Sequence, residues 1–252
     1  MTITRRSLLA TGSMLTGALA TGTVKAIAAP DVAPLSSRDR RKLKIVVTGG
    51  HPGDPEYACG GTIAKLTQMG HEVVLLYLND GAWPPTDAAT RVAEAKHACE
   101  VLKARPAYAG QQNGNSIVDK VHYENFASIL KGEAPDAVFT HWMIDNHRDH
   151  RAAAMLCYDA WQSSNKKFAL YYFEVSDGED TLQFSPNRYS DFSKLDTAKK
   201  AACYAHASQT PDRYYALQDR VALFRGAESG VERAEAFIAQ QQNPFDIFSL
   251  LS

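Results

Sequence analysis

Two short segments of the chain combine residue types that can hold a metal ion. His51 and Asp54 lie three residues apart in the first segment, and His147 and His150 lie three apart in the second. Two imidazoles and one carboxylate form the protein ligand set of an open catalytic zinc site. Each segment alone has a simpler explanation, since loop histidines are commonly exposed and Asp54 could cap a helix. The metal hypothesis therefore depends on whether the fold brings the two segments together.

The order of predicted strands and helices places both segments at one edge of a sheet. Short apolar runs predict strands at 42–48, 72–78, 136–140 and 168–174. Apolar residues at helical spacing predict helices at 60–69, 87–103, 121–131, 149–162, 193–207 and 230–241. This alternation is typical of an α/β fold with one mostly parallel sheet covered by helices on both faces. Each segment follows a predicted strand, and such folds bind ligands beyond the carboxyl ends of their strands.

Several motifs follow one another in a fixed order between residues 42 and 210. They are His-Pro-x-Asp-x-Glu at 51–56, Cys-Gly-Gly-Thr at 59–62, Gly-His-Glu-Val at 70–73, Arg-x-x-Glu at 91–94, His-x-Asp-His at 147–150 and Ala-His-Ala-Ser-Gln at 205–209. The series resembles the PIG-L/LmbE-like zinc-dependent deacetylases. That resemblance implies a Rossmann-like fold that hydrolyses an N-acetyl group, usually from an amino sugar.

The resemblance also implies which residues bind the metal. By position in the motifs, His51, Asp54 and His150 are the expected zinc ligands. Zinc suits two histidines and one carboxylate, although other divalent transition metals accept similar ligands.

Four further residues receive expected roles from the same resemblance. His147 would polarise the acetyl carbonyl or stabilise the oxyanion, and Asp149 would orient a neighbouring histidine. Arg91 would contact the substrate, and His206 would line the pocket from the other side.

One position departs from the family pattern. The family typically reads His-Pro-Asp-Asp, with the first Asp as general base, whereas this chain has Gly53 at that position. Since a zinc-bound water already has a lowered pKa, loss of the base would weaken hydrolysis without necessarily abolishing it. Asp149, Glu56 or Asp80 could replace the missing carboxylate. Glu56 is also explained as a first-turn carboxylate favoured by the helix dipole.

The sequence thus predicts a metal-dependent hydrolase that removes an N-acetyl group from an amino sugar or glycoconjugate. Two alternatives stay open, namely an inactive carbohydrate-binding relative and a hydrolase of a different amide or ester bond. The aromatic run 171–173 and the loop 82–86 could form a sugar-stacking pocket. A packed strand and an ordinary loop explain those residues equally well.

The first 29 residues have the features of an export signal. Arg5 and Arg6 precede an uncharged stretch that ends in the Ala-rich segment 26–29, and residues 4–9 resemble a twin-arginine signal. We expect removal of residues 1–29, a linker at 30–41, a deacetylase domain at 42–252, and a periplasmic or secreted product. Although residues 7–24 approach the length of a membrane span, no stable span is expected to remain after cleavage.

The charge balance argues against a nucleic-acid partner. The 252-residue chain has a formal charge of −1, and loss of three basic residues with the signal makes the mature chain −4. Without a net positive field, a small molecule or glycan is the expected partner. The four cysteines include no close pair, and a domain of about 223 residues does not require disulfides.

Overall fold

The computed structural model describes residues 41–175 and 181–251. The expected export signal at 1–29 and the linker up to residue 40 lie outside the described residues. The strands are β1 (Lys44–Gly49), β2 (Glu72–Asn79), β3 (Arg105–Gln111), β4 (Ala137–His141), β5 (Ala169–Phe173), β6 (Arg188–Asp191) and β7 (Ala234–Ala239). The α-helices are α1 (Asp54–Gln68), α2 (Ala88–Leu102), α3 (Lys120–Glu133), α4 (Arg148–Ser163), α5 (Asp196–Tyr204) and α6 (Pro211–Ser229).

The seven described strands form one sheet in the order β3-β2-β1-β4-β5-β7-β6. The five strands from β3 to β5 are parallel, and β7 runs antiparallel to both β5 and β6. The chain winds from β1 to one side through β2 and β3, then returns to place β4 on the other side of β1. The carboxyl ends of β1 and β4 therefore flank a topological switch point, where open α/β sheets bind ligands.

Apolar side chains cover both faces of the sheet. On one face the strands pack against α1, α2 and α5, with Ile45, Leu75 and Phe139 in the core. On the other face they pack against α3 and α4, around Val46 and Trp161. Burial on both faces explains why the central strands are continuous apolar runs without alternation. The predicted fold class is confirmed.

Side chains and special backbone positions set the helix ends. Asp87 and Asp119 accept hydrogen bonds from the first turns of α2 and α3, at 2.8 and 3.0 Å. Pro211 begins α6, and Gly230, in the left-handed conformation, ends it. None of the described helices is long and apolar enough to cross a lipid bilayer. All four cysteines are buried and free.

Helix α1, which carries Asp54, is interrupted at Cys59, whose φ of −140° is not helical. The interruption leaves backbone N–H groups without helical partners, and Glu235 on β7 accepts those of Gly61 and Thr62 at 2.8 and 2.7 Å. The buried ammonium of Lys199 contacts the same carboxylate at 2.7 Å. A buried ion pair thus holds the second half of α1 against the sheet.

The structure corrects the predicted elements in the C-terminal third of the chain. The helix predicted at 230–241 is wrong, because Ala234–Ala239 form β7 between β5 and β6. Helix α6 and the strands β3 and β6 were not predicted. The predicted helix at 193–207 is shorter, with a 3₁₀ turn at Ser193–Leu195 followed by α5.

Candidate metal centre

The two histidine-containing segments meet at the topological switch point. His51 lies in the loop after β1, and Asp54 begins α1. His141 is the last residue of β4, while His147 precedes α4 and His150 lies in its first turn. The sequence places these segments about 90 residues apart, and the pairing of β1 with β4 brings them together.

One oxygen atom of Asp54 lies at the centre of the cluster. Its Oδ2 is 3.3 Å from His51 Nδ1, 3.2 Å from His150 Nε2 and 3.2 Å from His141 Nε2. The backbone N–H of His51 also donates to this oxygen, at 2.7 Å. The ligand atoms fall into two groups of three, His51 with His147 and His150, and Asp54 with His141 and His150.

Two further carboxylates orient the imidazoles. His51 Nε2 lies 3.1 Å from Asp149 Oδ2, which leaves its Nδ1 facing Asp54. His150 Nδ1 donates to Asp145 Oδ1 at 2.9 Å, which leaves Nε2 facing Asp54. Carboxylates that fix the tautomer and orientation of a ligating histidine are a regular feature of protein metal sites.

The donor set fits a divalent metal in chemistry, and part of it fits in spacing. Tetrahedral zinc with bonds of about 2.0–2.1 Å to nitrogen and oxygen holds its ligand atoms about 3.3 Å apart. The two contacts from Asp54 Oδ2 to His51 and His150 have this length. Neither group of three contains His51, Asp54 and His150 together, so this full ligand set stays a prediction. Zinc and similar divalent metals accept these types of atom.

The electrostatics also favour a positive charge beside Asp54. Burial favours the neutral form of this carboxyl, but His150 and His51 hold its pKa well below the usual range. Burial likewise opposes protonation of His150, yet Asp54 and Asp145 raise its pKa to about 10. Buried carboxylates around a shared space create this preference for positive charge, and a divalent cation would satisfy it.

The environment of His147 differs from those of His51 and His150, which each pair with a carboxylate. It is the N-cap of α4, and its Nδ1 accepts the backbone N–H of Asp149 at 3.2 Å. Burial and the charges of His150 and His51 lower its pKa. The neutral ring with Nδ1 as acceptor carries its proton on Nε2, so His147 can serve as a neutral N–H donor.

Asp149 also holds a loop beside the centre. Its carboxylate accepts the backbone N–H of Gly114 at 2.6 Å and that of Ser116 at 3.3 Å, in addition to His51. Burial favours the neutral form of this carboxyl, but the hydrogen bonds from His51 and Gly114 outweigh that effect. They keep the pKa of Asp149 well below the usual range. The side chain is fully buried, so the structure places Asp149 in a positioning role.

Glu56 and His206 form a buried pair behind the candidate centre. His206 Nε2 lies 3.0 Å from Glu56 Oε1, and Tyr77 Oη donates to the same oxygen at 2.7 Å. The other carboxylate oxygen accepts the backbone N–H of Gly53 at 3.2 Å. His206 is fully buried. It is connected to the backbone of Gly53 through the carboxylate of Glu56.

Gly53 has a backbone conformation that L-residues rarely adopt, with φ of 110°. A Cβ built on it would lie 3.7 Å from the Tyr57 ring and 3.8 Å from His206 Cδ2. There is room for a methyl group at this position, but the backbone disfavours any side chain.

Arg91 supports the loop after β1. It is 2% exposed, and its guanidinium donates to the Pro52 carbonyl at 2.5 Å and to Glu94 at 3.1 Å. Glu94 in turn accepts hydrogen bonds from the backbone and hydroxyl of Ser208. Arg91 therefore links the loop after β1 to the 205–209 segment, while direct substrate contact stays a prediction.

Sequence reasoning missed two side chains of this centre. His141 accepts the Gly50 N–H at 3.0 Å and stacks on His150, with ring centroids 3.9 Å apart. Asp145 orients His150 and accepts the backbone N–H of His147 at 2.8 Å. The position of His141 at the carboxyl end of a predicted strand was the available signal.

The aromatic residues proposed for sugar stacking divide into two groups. Tyr171, Tyr172 and Phe173 are buried in β5, as the packed-strand explanation requires. Trp83 in the 82–86 loop is 62% exposed.

Three known proteins resemble the chain over most of its length. A diacetylchitobiose deacetylase from Thermococcus kodakarensis is 28% identical over 220 residues, covering 76% of this chain and 81% of that protein. The structure of N,N'-diacetylchitobiose deacetylase from Pyrococcus horikoshii matches with a TM-score of 0.68 and 24% identity, covering 81% and 87% of the two chains. The 4-carboxy-2-hydroxymuconate hydratase GalB from Pseudomonas putida KT2440 matches with a TM-score of 0.68 and 22% identity, covering 78% and 95%. These structural similarities show that proteins with different activities share the fold.

A family sequence profile also matches the part of the chain that forms the centre. The profile is that of PIG-L, described as GlcNAc-PI de-N-acetylase, and it matches residues 46–161. The match runs from β1 to α4 and includes the three expected metal ligands and the carboxylates that orient them. Residues 46–161 therefore form a region that matches the PIG-L family.

Proposed function

We propose that the protein is a metal-dependent deacetylase that hydrolyses the N-acetyl group of an amino sugar or glycoconjugate. The arrangement of His51 and His150 carries this proposal, because each gives one N–H to a carboxylate and turns its other nitrogen towards Asp54. The similarity to diacetylchitobiose deacetylases supports the choice of an N-acetylated sugar.

The residues of the centre have distinct tasks in this reaction. His51, Asp54 and His150 would hold the metal, which when bound supplies a Lewis acid and acidifies a water molecule. His147 would donate its Nε2 proton in a hydrogen bond to the acyl oxygen, where negative charge develops during attack. Asp145 and Asp149 keep the two ligating imidazoles in the required tautomers.

Asp80 is the carboxylate we propose as general base in place of the missing Asp. Asp149 and Glu56 are both buried and each accepts three hydrogen bonds. Asp80 is half-buried at the carboxyl end of β2, and only its Oδ1 accepts a hydrogen bond within the described chain, from Ala82 N at 2.9 Å. The neighbouring Gly81 packs against Pro52 of the metal-binding loop.

Acetate release tests the proposed function directly. Protein loaded with one zinc ion per chain is assayed with N-acetylglucosamine and N,N'-diacetylchitobiose. We expect acetate from the wild type, none from His150→Ala, and unchanged release from His97→Ala, which removes an exposed histidine of α2. Zinc-loaded wild-type protein that releases no acetate from a broad set of N-acetylated sugars would contradict the proposal.

The same assay separates the alternatives. Sugar binding without acetate release would identify a binding protein, and hydrolysis of other amides or esters alone would identify a different hydrolase.

A substitution of Asp80 tests the proposed general base. Asp80→Asn should lower the rate of acetate release by about 10²- to 10⁴-fold with unchanged zinc content. Glu124→Gln, which changes an exposed carboxylate of α3, is the matched control.

We also propose export through a twin-arginine signal at residues 1–29. The uncharged stretch after Arg5 and Arg6 and the Ala-rich segment at 26–29 support this assignment. Cell fractionation tests it, because a double change to lysine at Arg5 and Arg6 should retain the full-length precursor in the cytoplasm. Unchanged export of that variant would contradict the proposed route.

A further inference from the structure

A small surface beside the candidate metal centre is formed by Trp83, Gly114 and Arg148. A Cβ built on Gly114 would lie 3.4 Å from Cζ3 of Trp83 and 3.6 Å from Nη2 of Arg148. The indole and the guanidinium therefore approach each other across the bare backbone of a glycine. We call these three residues the rim surface.

The rim surface is fixed to the metal centre by hydrogen bonds. The Gly114 N–H donates to Asp149 Oδ2 at 2.6 Å, and the same oxygen accepts from His51 Nε2 at 3.1 Å. On the other side, Asn113 donates to the carbonyl of Ala82 at 3.0 Å, which joins the loop after β3 to the Trp83 loop. One carboxylate thus separates the rim surface from a proposed metal ligand.

Both side chains of the rim surface are available to a ligand. Trp83 contacts Gly114 through the edge of its ring and remains 62% exposed. Arg148 is exposed, and no carboxylate in residues 41–175 and 181–251 pairs with it. By contrast, Arg91, Arg188 and Arg225 each form an ion pair.

We propose that the rim surface binds an anionic sugar unit adjoining the N-acetylated unit of the substrate. The face of Trp83 would stack against the sugar ring, and the Arg148 fork would donate to its carboxylate or phosphate oxygens. This inference rests on the proposed function, since the adjoining unit places the acetyl group at the metal centre. It narrows the substrate class to acidic glycans or glycoconjugates.

Three disaccharides provide the test, each with N-acetylglucosamine linked to a second unit. The second unit is glucuronic acid, glucose 6-phosphate or unmodified glucose. The zinc-loaded protein is assayed for kcat/KM, and dissociation constants are measured by calorimetry. We expect the wild type to favour at least one acidic disaccharide over the neutral one by about 3- to 10-fold, and added salt to reduce that preference. The acidic arm with the larger preference identifies the anionic group.

Two variants and their controls assign the effect. Arg148→Gln should abolish the preference for acidic disaccharides without changing kcat/KM for the neutral disaccharide. Arg220→Gln, which changes an exposed arginine of α6, should behave as the wild type. Trp83→Ala should weaken binding of all three ligands about tenfold, and Trp83→Phe should retain most of it. If the wild type shows no acidic preference, or Arg148→Gln leaves it unchanged, the inference is wrong.

The two proposals fail in different ways. If no disaccharide releases acetate, the proposed function fails, and the calorimetric preference still decides whether the rim surface binds anionic sugars. If the neutral disaccharide is deacetylated as well as the acidic ones, the function stands and the rim assignment is overturned.

Discussion

Asp145 accepts a hydrogen bond from the ring of His150, with 2.9 Å between Oδ1 and Nδ1. Because this contact fixes the nitrogen that faces Asp54, we expect Asp145→Ala to lower zinc affinity by about 10- to 100-fold. Asp145→Asn retains an acceptor oxygen, so its zinc affinity should fall less than that of Asp145→Ala. Titration against a zinc chelator of known affinity measures both, and Glu124→Gln serves as the control. Equal affinity in Asp145→Ala and the wild type would rule out the orienting role.

His147 combines an N-cap contact with an N–H donor facing the centre. Since asparagine is also a good N-cap, His147→Asn should preserve α4 while removing the imidazole donor. We expect about a 10²- to 10³-fold fall in kcat for both His147→Asn and His147→Ala. Only the alanine variant should also lose stability, by about 1 kcal/mol in urea unfolding. A His147→Asn enzyme with wild-type kcat would show that the imidazole has no part in the reaction.

Gly53 should resist substitution because of its backbone conformation. With φ of 110°, any side chain adds strain, so we expect Gly53→Ala to destabilise the fold by about 1–2 kcal/mol. The contacts of 3.7 and 3.8 Å at a built Cβ leave room for the methyl group itself. Thermal unfolding measures the loss, and Gly132→Ala on α3, where a Cβ meets nothing within 4 Å, is the control. An unchanged melting temperature for Gly53→Ala would contradict the assigned strain.

Comparison of Gly53→Asp with Gly53→Ala isolates the effect of a carboxylate at this position. Both variants carry the same backbone strain, so the alanine variant is the correct reference. If Asp80 already acts as the base, the two variants should release acetate at similar rates. A rate for Gly53→Asp that exceeds the alanine variant by 10²-fold or more would instead indicate that a general base is missing.

Glu235 should contribute strongly to stability. Its carboxylate satisfies the backbone of Gly61 and Thr62 at the interruption of α1 and pairs with the buried Lys199. Glu235→Ala would leave that ammonium buried without its partner, at a cost of about 3–5 kcal/mol in the free energy of unfolding. Glu232→Ala, which changes an exposed carboxylate near the same strand, should cost little. A loss below about 1 kcal/mol for Glu235→Ala would contradict this role.

The parts of the fold that the sequence predicts well are those with a strong local pattern. The central strands are apolar runs, and α2 and α3 begin at capping aspartates, so β1, β2, α2 and α3 lie within a few residues of their predicted bounds. The segment 234–239 contains alanine and glutamate, which favour helices, but pairing with β5 and β6 overrides that propensity. Strand β3 lies at the sheet edge and is only partly buried, so it lacks an apolar run.

The centre was predictable where its residues lie close together in the chain. The pair of His51 with Asp54 and the pair of His147 with His150 are visible as short motifs, whereas the hydrogen bond between Gly50 and His141 joins residues 91 apart. Arg91 illustrates a second limit, because a charged residue on a predicted helix gives no sign that its guanidinium is buried against a backbone carbonyl. Long-range pairing of β1 with β4 decides the contact between Gly50 and His141, and no local pattern encodes that pairing.

The shared oxygen of Asp149 limits how this protein can change its substrate range. Gly114 and His51 depend on the same atom, so a change in the length of the loop after β3 would disturb the proposed metal ligand His51 as well as the rim surface. Point substitutions at exposed positions such as Trp83 leave that atom untouched. Selection for new substrates should therefore proceed through side-chain replacement at constant loop length, and grafted loops should lose metal before they gain specificity.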